Sequence, residues 1–227
     1  MPAYTWKLSP SDLTFLWDEC PRCFYLKVVH KFNRPATAFP SIFSKIDSLM
    51  KRYFDGRSTA EFCADLPPGV VRYSGLGVES EPLYLPGHPA TCILAGRFDS
   101  VLEFEDGAYA VVDFKTTSAR PEHVAFYSRQ LHAYAYALEH PAPGKLRLSP
   151  VKRLGLFSLD LDQLERHSAE RLALLGPVHW QECPLDEAGF LAFIGRVLSL
   201  LELPEPPPAG EKCGFCKYRE SSRLTDF

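Results

Sequence analysis

Two Cys-x-x-Cys pairs stand almost the whole chain apart, Cys20/Cys23 near one end and Cys213/Cys216 near the other. A pair offers two thiolates, whereas a closed structural metal site takes four ligands. The pairs make sense together only if the chain brings its ends into contact, with a metal held between them as a staple. Seven cysteines form an odd set, which suits metal ligation in a reducing compartment better than a disulfide framework. The segments 1–30 and 204–227 are expected to form the staple, and Pro204-Glu205-Pro206-Pro207-Pro208 is a stiff, extended connector into it. Cys63, Cys92 and Cys183 lie in unrelated contexts and read as small buried hydrophobes. A thiol-redox role fits poorly, because neither pair opens a helix directly after a strand.

A chain of 227 residues, 46% hydrophobic and 23% charged, can bury one substantial core. One domain spanning 1–227 is therefore expected. The start, Met1-Pro2-Ala3-Tyr4-Thr5-Trp6-Lys7, lacks a basic segment followed by an apolar run. No stretch approaches the roughly 18 consecutive apolar residues of a membrane span, so a soluble cytoplasmic protein without a membrane partner is expected. The net charge of −3 gives no global signature of nucleic-acid binding, and any DNA surface must be a local basic groove. Arg97, Arg120, Arg129, Lys212, Lys217, Arg219 and Arg223 are the basic candidates for it, with Phe215 and Tyr218 as aromatics for stacking on an unpaired base. The seven histidines show no spaced ligand pair.

Ser9-Pro10-Ser11-Asp12 reads as a helix start with Ser9 as N-cap, and the helix should run to about Glu19. Ile42, Phe43, Ile46, Leu49, Met50 and Tyr53 predict a second helix that stops at Gly56, followed by a loop over about 57–69. Strand-like runs follow at Val70 to Tyr73, Pro82 to Leu85, Cys92 to Glu105 and Tyr109 to Lys115, with Asp106-Gly107 as a hairpin turn. Helices over Pro121 to Glu139 and Asp186 to Leu201 enclose a strand from Val151 to Ser158. The order predicts an α/β domain with a central mixed β-sheet flanked by helices.

In Tyr109-Ala110-Val111-Val112-Asp113-Phe114-Lys115, alternation puts Asp113 and Lys115 on one face of the strand. The Asp106-Gly107 hairpin can return Asp99, at the end of Gly96-Arg97-Phe98-Asp99, to the neighbourhood of Asp113. Two converging carboxylates suit a hard divalent cation, and a nearby lysine suits a phosphate or an attacking water. Read alone, either strand could equally end in an ordinary acid that pairs with Lys115. Gln130 and Tyr134 share a helix face, but Phe126, Tyr127, Leu131 and Leu138 around them read equally well as packing.

Taken in order, Gly96-Arg97-Phe98-Asp99, Val112-Asp113-Phe114-Lys115-Thr116 and Gln130-Leu131-x-x-Tyr134 resemble the PD-(D/E)xK nuclease superfamily, specifically its RecB-like branch. That branch includes CRISPR-associated RecB-like exonucleases and the nuclease domains of recombination helicases. The resemblance extends to Leu8-Ser9-Pro10-Ser11, to Cys20-Pro21-Arg22-Cys23-Phe24-Tyr25-Leu26 and to the late cysteine pair. It implies a restriction-endonuclease-like core, a magnesium or manganese site and hydrolysis of DNA, with a partner protein in a repair, recombination or CRISPR complex. On that model Asp99 and Asp113 bind the metal, Lys115 is the catalytic lysine, and Gln130 with Tyr134 supports the site. The chain departs from the pattern on its early helix, Ser41 to Phe54, which lacks the histidine or glutamate that often completes the metal shell; its only acid is Asp47. Iron-sulfur members carry one early and three late cysteines, and the last late position is Ser222 here. Cys23 would then supply the fourth thiolate of a 4Fe-4S cluster, with zinc as the alternative. A catalytically inactive nuclease-fold protein that binds or scaffolds DNA is the rival functional reading.

Overall fold

The computed structural model describes residues 4–36 and 40–224. Strand β1 (Thr5–Leu8) is followed by helices α1 (Pro10–Glu19), α2 (Pro21–His30) and α3 (Ser41–Phe54), then a short 3-10 turn (Thr59–Glu61). Next come β2 (Gly69–Ser74), β3 (Gly77–Glu79), β4 (Thr91–Arg97), β5 (Ser100–Phe104), β6 (Tyr109–Lys115), α4 (Pro121–Glu139) and β7 (Val151–Leu159). The chain ends with β8 (Gln163–Ser168), β9 (Arg171–Leu175), β10 (Val178–Cys183), α5 (Glu187–Leu201) and α6 (Gly214–Ser222).

The main sheet has the order β10-β7-β6-β5-β2, and a smaller one the order β1-β4-β3. Within the main sheet only β6 and β7 run parallel, with α4 as the crossover between them, so the sheet is mixed. The two faces of β6 sort as alternation demands. Ala110, Val112 and Phe114 face a core with Phe54 and Met50 of α3, Phe62 and Phe157. Val111 faces the opposite core, built from α1, α2, α4 and α5. Asp113 and Lys115 share the parity of Val111 and lie on the α4 side.

The run Cys92 to Glu105, expected as one strand, is two. It breaks at Phe98-Asp99, and β4 and β5 belong to different sheets. Phe98, fully buried, donates its N–H to Leu76 O at 3.2 Å, and Gly75 donates to Asp99 O at 2.8 Å. These bonds satisfy the backbone where the chain changes sheets. Pro82 to Leu85 makes only an isolated bridge, Leu83 with Cys92. Ser9 stands at the N-cap of α1, but its hydroxyl meets that of Ser11 at 2.9 Å and caps no backbone N–H.

Several elements carried too little pattern to be read. Helix α2 opens on Cys20 as N-cap with Pro21 in its first turn, and buries Cys23, Phe24, Tyr25 and Val28. Strands β8 and β9 pair only with each other, and all of β8 is exposed, so no buried face imposes alternation there. Strand β10 pairs antiparallel with β7 at the sheet edge.

Gly96 is required by close packing. A β-carbon there would lie 2.8 Å from Pro10 Cδ and 3.2 Å from Tyr134 Cε1, so α1 and α4 reach the strand just before its break only because that position has no side chain. Gly96→Ala is expected to lower unfolding stability by about 1–3 kcal/mol, read from the midpoint of a urea melt.

Candidate functional site

Asp99 sits at the break between β4 and β5, facing the end of β6. Its Oδ2 accepts the Phe114 N–H at 2.8 Å, so the carboxylate is fixed against the residue next to Asp113. Its Oδ1 lies 2.7 Å from Lys51 Nζ, and the same ammonium is 2.8 Å from Asp47 Oδ2 one turn earlier on α3. Asp113 is 3% exposed. Its Oδ1 accepts from Gln130 Nε2 at 2.9 Å and its Oδ2 is ion-paired with Lys115. The Lys115 ammonium also lies 3.9 Å from the centre of the Tyr127 ring, a cation–π contact that helps hold a charge removed from water. Tyr134 OH donates to Arg97 O at 2.8 Å, two residues before Asp99, so it holds the strand break in place.

The five sequence-derived residues thus gather around one strand end, four of them at the carboxylates and Tyr134 one step behind. Lys51 and Tyr127 were missed. Tyr127 carried a signal, being three before Gln130 and seven before Tyr134 on the same helix face. Lys51 carried only its place four residues after Asp47.

Burial pushes the Asp113 carboxyl up to about 7; the charge of Lys115 works against this and that of Asp99 reinforces it. Lys115 is raised: burial works to lower it, but the Asp113 charge and hydrogen bond outweigh that. Lys51 is also raised, its burial outweighed by its bonds to Asp47 and Asp99. Three carboxylates, Asp47, Asp99 and Asp113, therefore share two ammoniums, Lys51 and Lys115, and Asp99 and Asp113 meet as like charges unless a cation lies between them.

At the opposite ends of the chain, the four cysteines meet. Cys20 Sγ lies 3.9 Å from Cys216 Sγ, and Cys23 Sγ lies 3.8 Å from Cys213 Sγ and 3.5 Å from Cys216 Sγ. All four sulfurs are buried and within 4.8 Å of one another. Both pairs open helices, α2 and α6, but neither helix directly follows a strand. Burial pushes the Cys20 thiol up, yet hydrogen bonds from Gly210 N–H, Cys23 and Cys213 bring it down to about 7. Burial raises Cys23, with Cys20 adding to the rise and Arg34 and Cys216 opposing it, and burial raises Cys216, with Cys23, Cys213 and Cys20 adding to it.

Some basic and aromatic candidates for DNA contact are otherwise engaged. Arg129 pairs with Asp18 at 2.5 Å and stacks on Phe193 at 4.4 Å. Phe215 is half-buried under Arg34, whereas Tyr218 is 73% exposed.

The sequence model of the PD-(D/E)XK nuclease superfamily matches residues 70–221, which span β2 to α6 and include both carboxylates, Lys115, Gln130 and Tyr134. The chain belongs to the PD-(D/E)XK nuclease superfamily. Among solved structures, one titled "Crystal structure of SSO0001" aligns over 97% of this chain and 85% of its own length, with a TM-score of 0.50 and 15% sequence identity. At that identity the likeness concerns the fold alone. No curated protein matches the chain.

In this PD-(D/E)XK protein, α3 lays the Lys51 ammonium on Asp99. Among the described residues, no helix is long and apolar enough to cross a membrane.

Folded Asp113 keeps its proton to about pH 7, whereas an unfolded aspartate releases it near 3.9. Between those values the folded state binds more protons, so this carboxyl's contribution to stability falls as pH rises through the window. In chelator, the stability of the wild type minus that of Asp113→Asn should decline by more than about 1 kcal/mol from pH 4 to 7, measured by urea titration. A flat difference would show that Asp113 is ionised throughout.

Proposed function

We propose that the chain is a magnesium- or manganese-dependent deoxyribonuclease of the RecB-like branch, a single-domain cytoplasmic enzyme of DNA repair, recombination or CRISPR adaptation that acts with a protein partner. The observation that carries this reading is the convergence of Asp99, Asp113 and Lys115 on one strand end, with Asp99 bonded to the Phe114 N–H. The donors fit a hard cation, because both carboxylates offer oxygen and Asp113 is buried. When bound, such an ion lowers the pKa of a coordinated water and neutralises charge on the scissile phosphate.

The protein's own groups have separate tasks. Asp99 and Asp113 would hold the ion. Gln130 fixes the Asp113 carboxylate by its amide bond, and Tyr134 fixes the backbone leading to Asp99. Lys115, kept charged by Asp113 and Tyr127, orients the attacking water or steadies the phosphate. Lys51 would have to give up Asp99 to such an ion, and Asp47 beside it would substitute for the glutamate or histidine that the early helix lacks. Phosphate contacts come from exposed basic side chains such as Lys212, Lys217 and Arg223.

A second reading, a silent DNA-binding module, is favoured by that same Lys51 contact: an ammonium already neutralises Asp99. Cleavage of end-labelled single- and double-stranded DNA with manganese, magnesium or chelator separates the two. The wild type should cut only with metal, and Asp113→Ala or Lys115→Ala should lose at least about 100-fold in rate while remaining folded. Activity retained in either variant would remove that residue from the mechanism, and folded wild type that binds DNA without cutting it would establish the silent module.

Manganese is expected to raise the melting temperature more at pH 8 than at pH 6, because ion binding competes with the Asp113 proton. An equal shift at both values would place the ion elsewhere.

A further inference from the structure

The cysteine cluster has a geometry that distinguishes between its two candidate occupants. A zinc–sulfur bond of about 2.3 Å in a tetrahedral site sets sulfurs about 3.8 Å apart. The contacts between the pairs are 3.5, 3.8 and 3.9 Å, and no two of the four sulfurs are further apart than 4.8 Å. In a 4Fe-4S cluster each thiolate binds a different iron of a cube that also holds four sulfides, so the thiolates must stand well outside contact distance. There is no room for that cube between these four sulfurs.

We infer that Cys20, Cys23, Cys213 and Cys216 hold a single tetrahedral zinc ion in a two-plus-two arrangement, not the iron-sulfur cluster that the family resemblance implies. Ser222, which replaces the last cysteine of the one-plus-three pattern, is exposed on the final turn of α6, and its hydroxyl donates to Arg219 O at 3.1 Å. The fourth sulfur is Cys23, in the first turn of α2.

The surroundings suit the net double negative charge of four thiolates on one divalent ion. Arg34 Nη2 lies 3.2 Å from Cys213 Sγ and Arg34 Nη1 lies 2.6 Å from Glu19, which aims the guanidinium. Gly210 N donates to Cys20 Sγ at 3.3 Å and Cys216 N to Cys213 Sγ at 3.4 Å. A β-carbon on Gly210 would lie 2.7 Å from Glu19 O, so glycine lets that N–H approach. The ion joins the α1–α2 junction to α6 and has no redox function. Because it lies apart from Asp99 and Asp113, this inference stands whether or not the chain cuts DNA.

The test is the metal content of the full chain, purified anaerobically from cells supplied with both iron and zinc. About one zinc per chain is expected, with no acid-labile sulfide, no visible iron-sulfur absorption, and X-ray absorption showing four sulfurs at about 2.3 Å. Iron and sulfide in equal amounts, or metal-free protein, would overturn the inference. Cys23→Ser should lose the zinc; should it not fold, Ser222→Ala supplies a soluble counterpart expected to keep one zinc per chain, and loss of metal there would refute the two-plus-two ligand set.

Discussion

A carboxylate buried in the central strand of a sheet is costly unless its surroundings compensate, and much of the site can be understood as compensation for Asp113. Its strand pairs on both sides, with β5 and with β7, so the side chain has no route to water along the sheet. Gln130 donates a hydrogen bond to one oxygen, and Lys115 ion-pairs with the other. Lys115 is itself buried, and Tyr127 stabilises it from α4. Asp99, placed against Phe114, adds a second negative charge, which Lys51 balances from α3. Each polar group recruits the next, and together they tie α3, α4 and both sheets to one strand end.

Closure of the chain on itself is a second constraint, physically separate from the first. The early pair sits at a helix-to-helix junction and the late pair at the start of α6. Between them the proline-rich connector runs past α2, where Tyr25 OH donates to Leu203 O at 2.8 Å. The cluster sits at the C-terminal end of α1, where Cys20 is the cap, and the other end of α1 presses Pro10 against Gly96 near the strand break. Through α1, the cysteine cluster is joined to the strand that leads to Asp99.

Much of the fold was legible because burial imposes periodicity. Helices α4 and α5 bury apolar residues at helical spacing, and strands β6 and β7 are apolar runs buried on both faces; α3 kept its helical spacing but buries Met50 and Phe54 and leaves Ile42, Phe43, Leu49 and Tyr53 exposed. The hairpin of β8 and β9 has no buried face and left no spacing to read. The break at Phe98-Asp99 was hidden for a different reason. Both sides of it are strand-like, and it is hydrogen bonds to the Leu76 carbonyl and from the Gly75 N–H, distant in sequence, that mark where the run divides between two sheets. Lys51 was equally silent, since nothing local distinguishes a lysine that reaches a carboxylate from one in solvent.

The sequence by itself determined the types of chemistry available: two carboxylates and a lysine in fixed order, a glutamine and tyrosine on one helix face, and two thiol pairs that had to meet. Residue identity and local period carry that information, because strand alternation and helical spacing follow from backbone geometry alone. Tertiary structure decided which groups share a charge, that Asp113 is desolvated, that Lys51 lies on Asp99, and that four sulfurs approach to single-ion spacing. Those are distances between segments up to 196 residues apart, and only the folded chain brings such segments within reach of electrostatic and covalent forces.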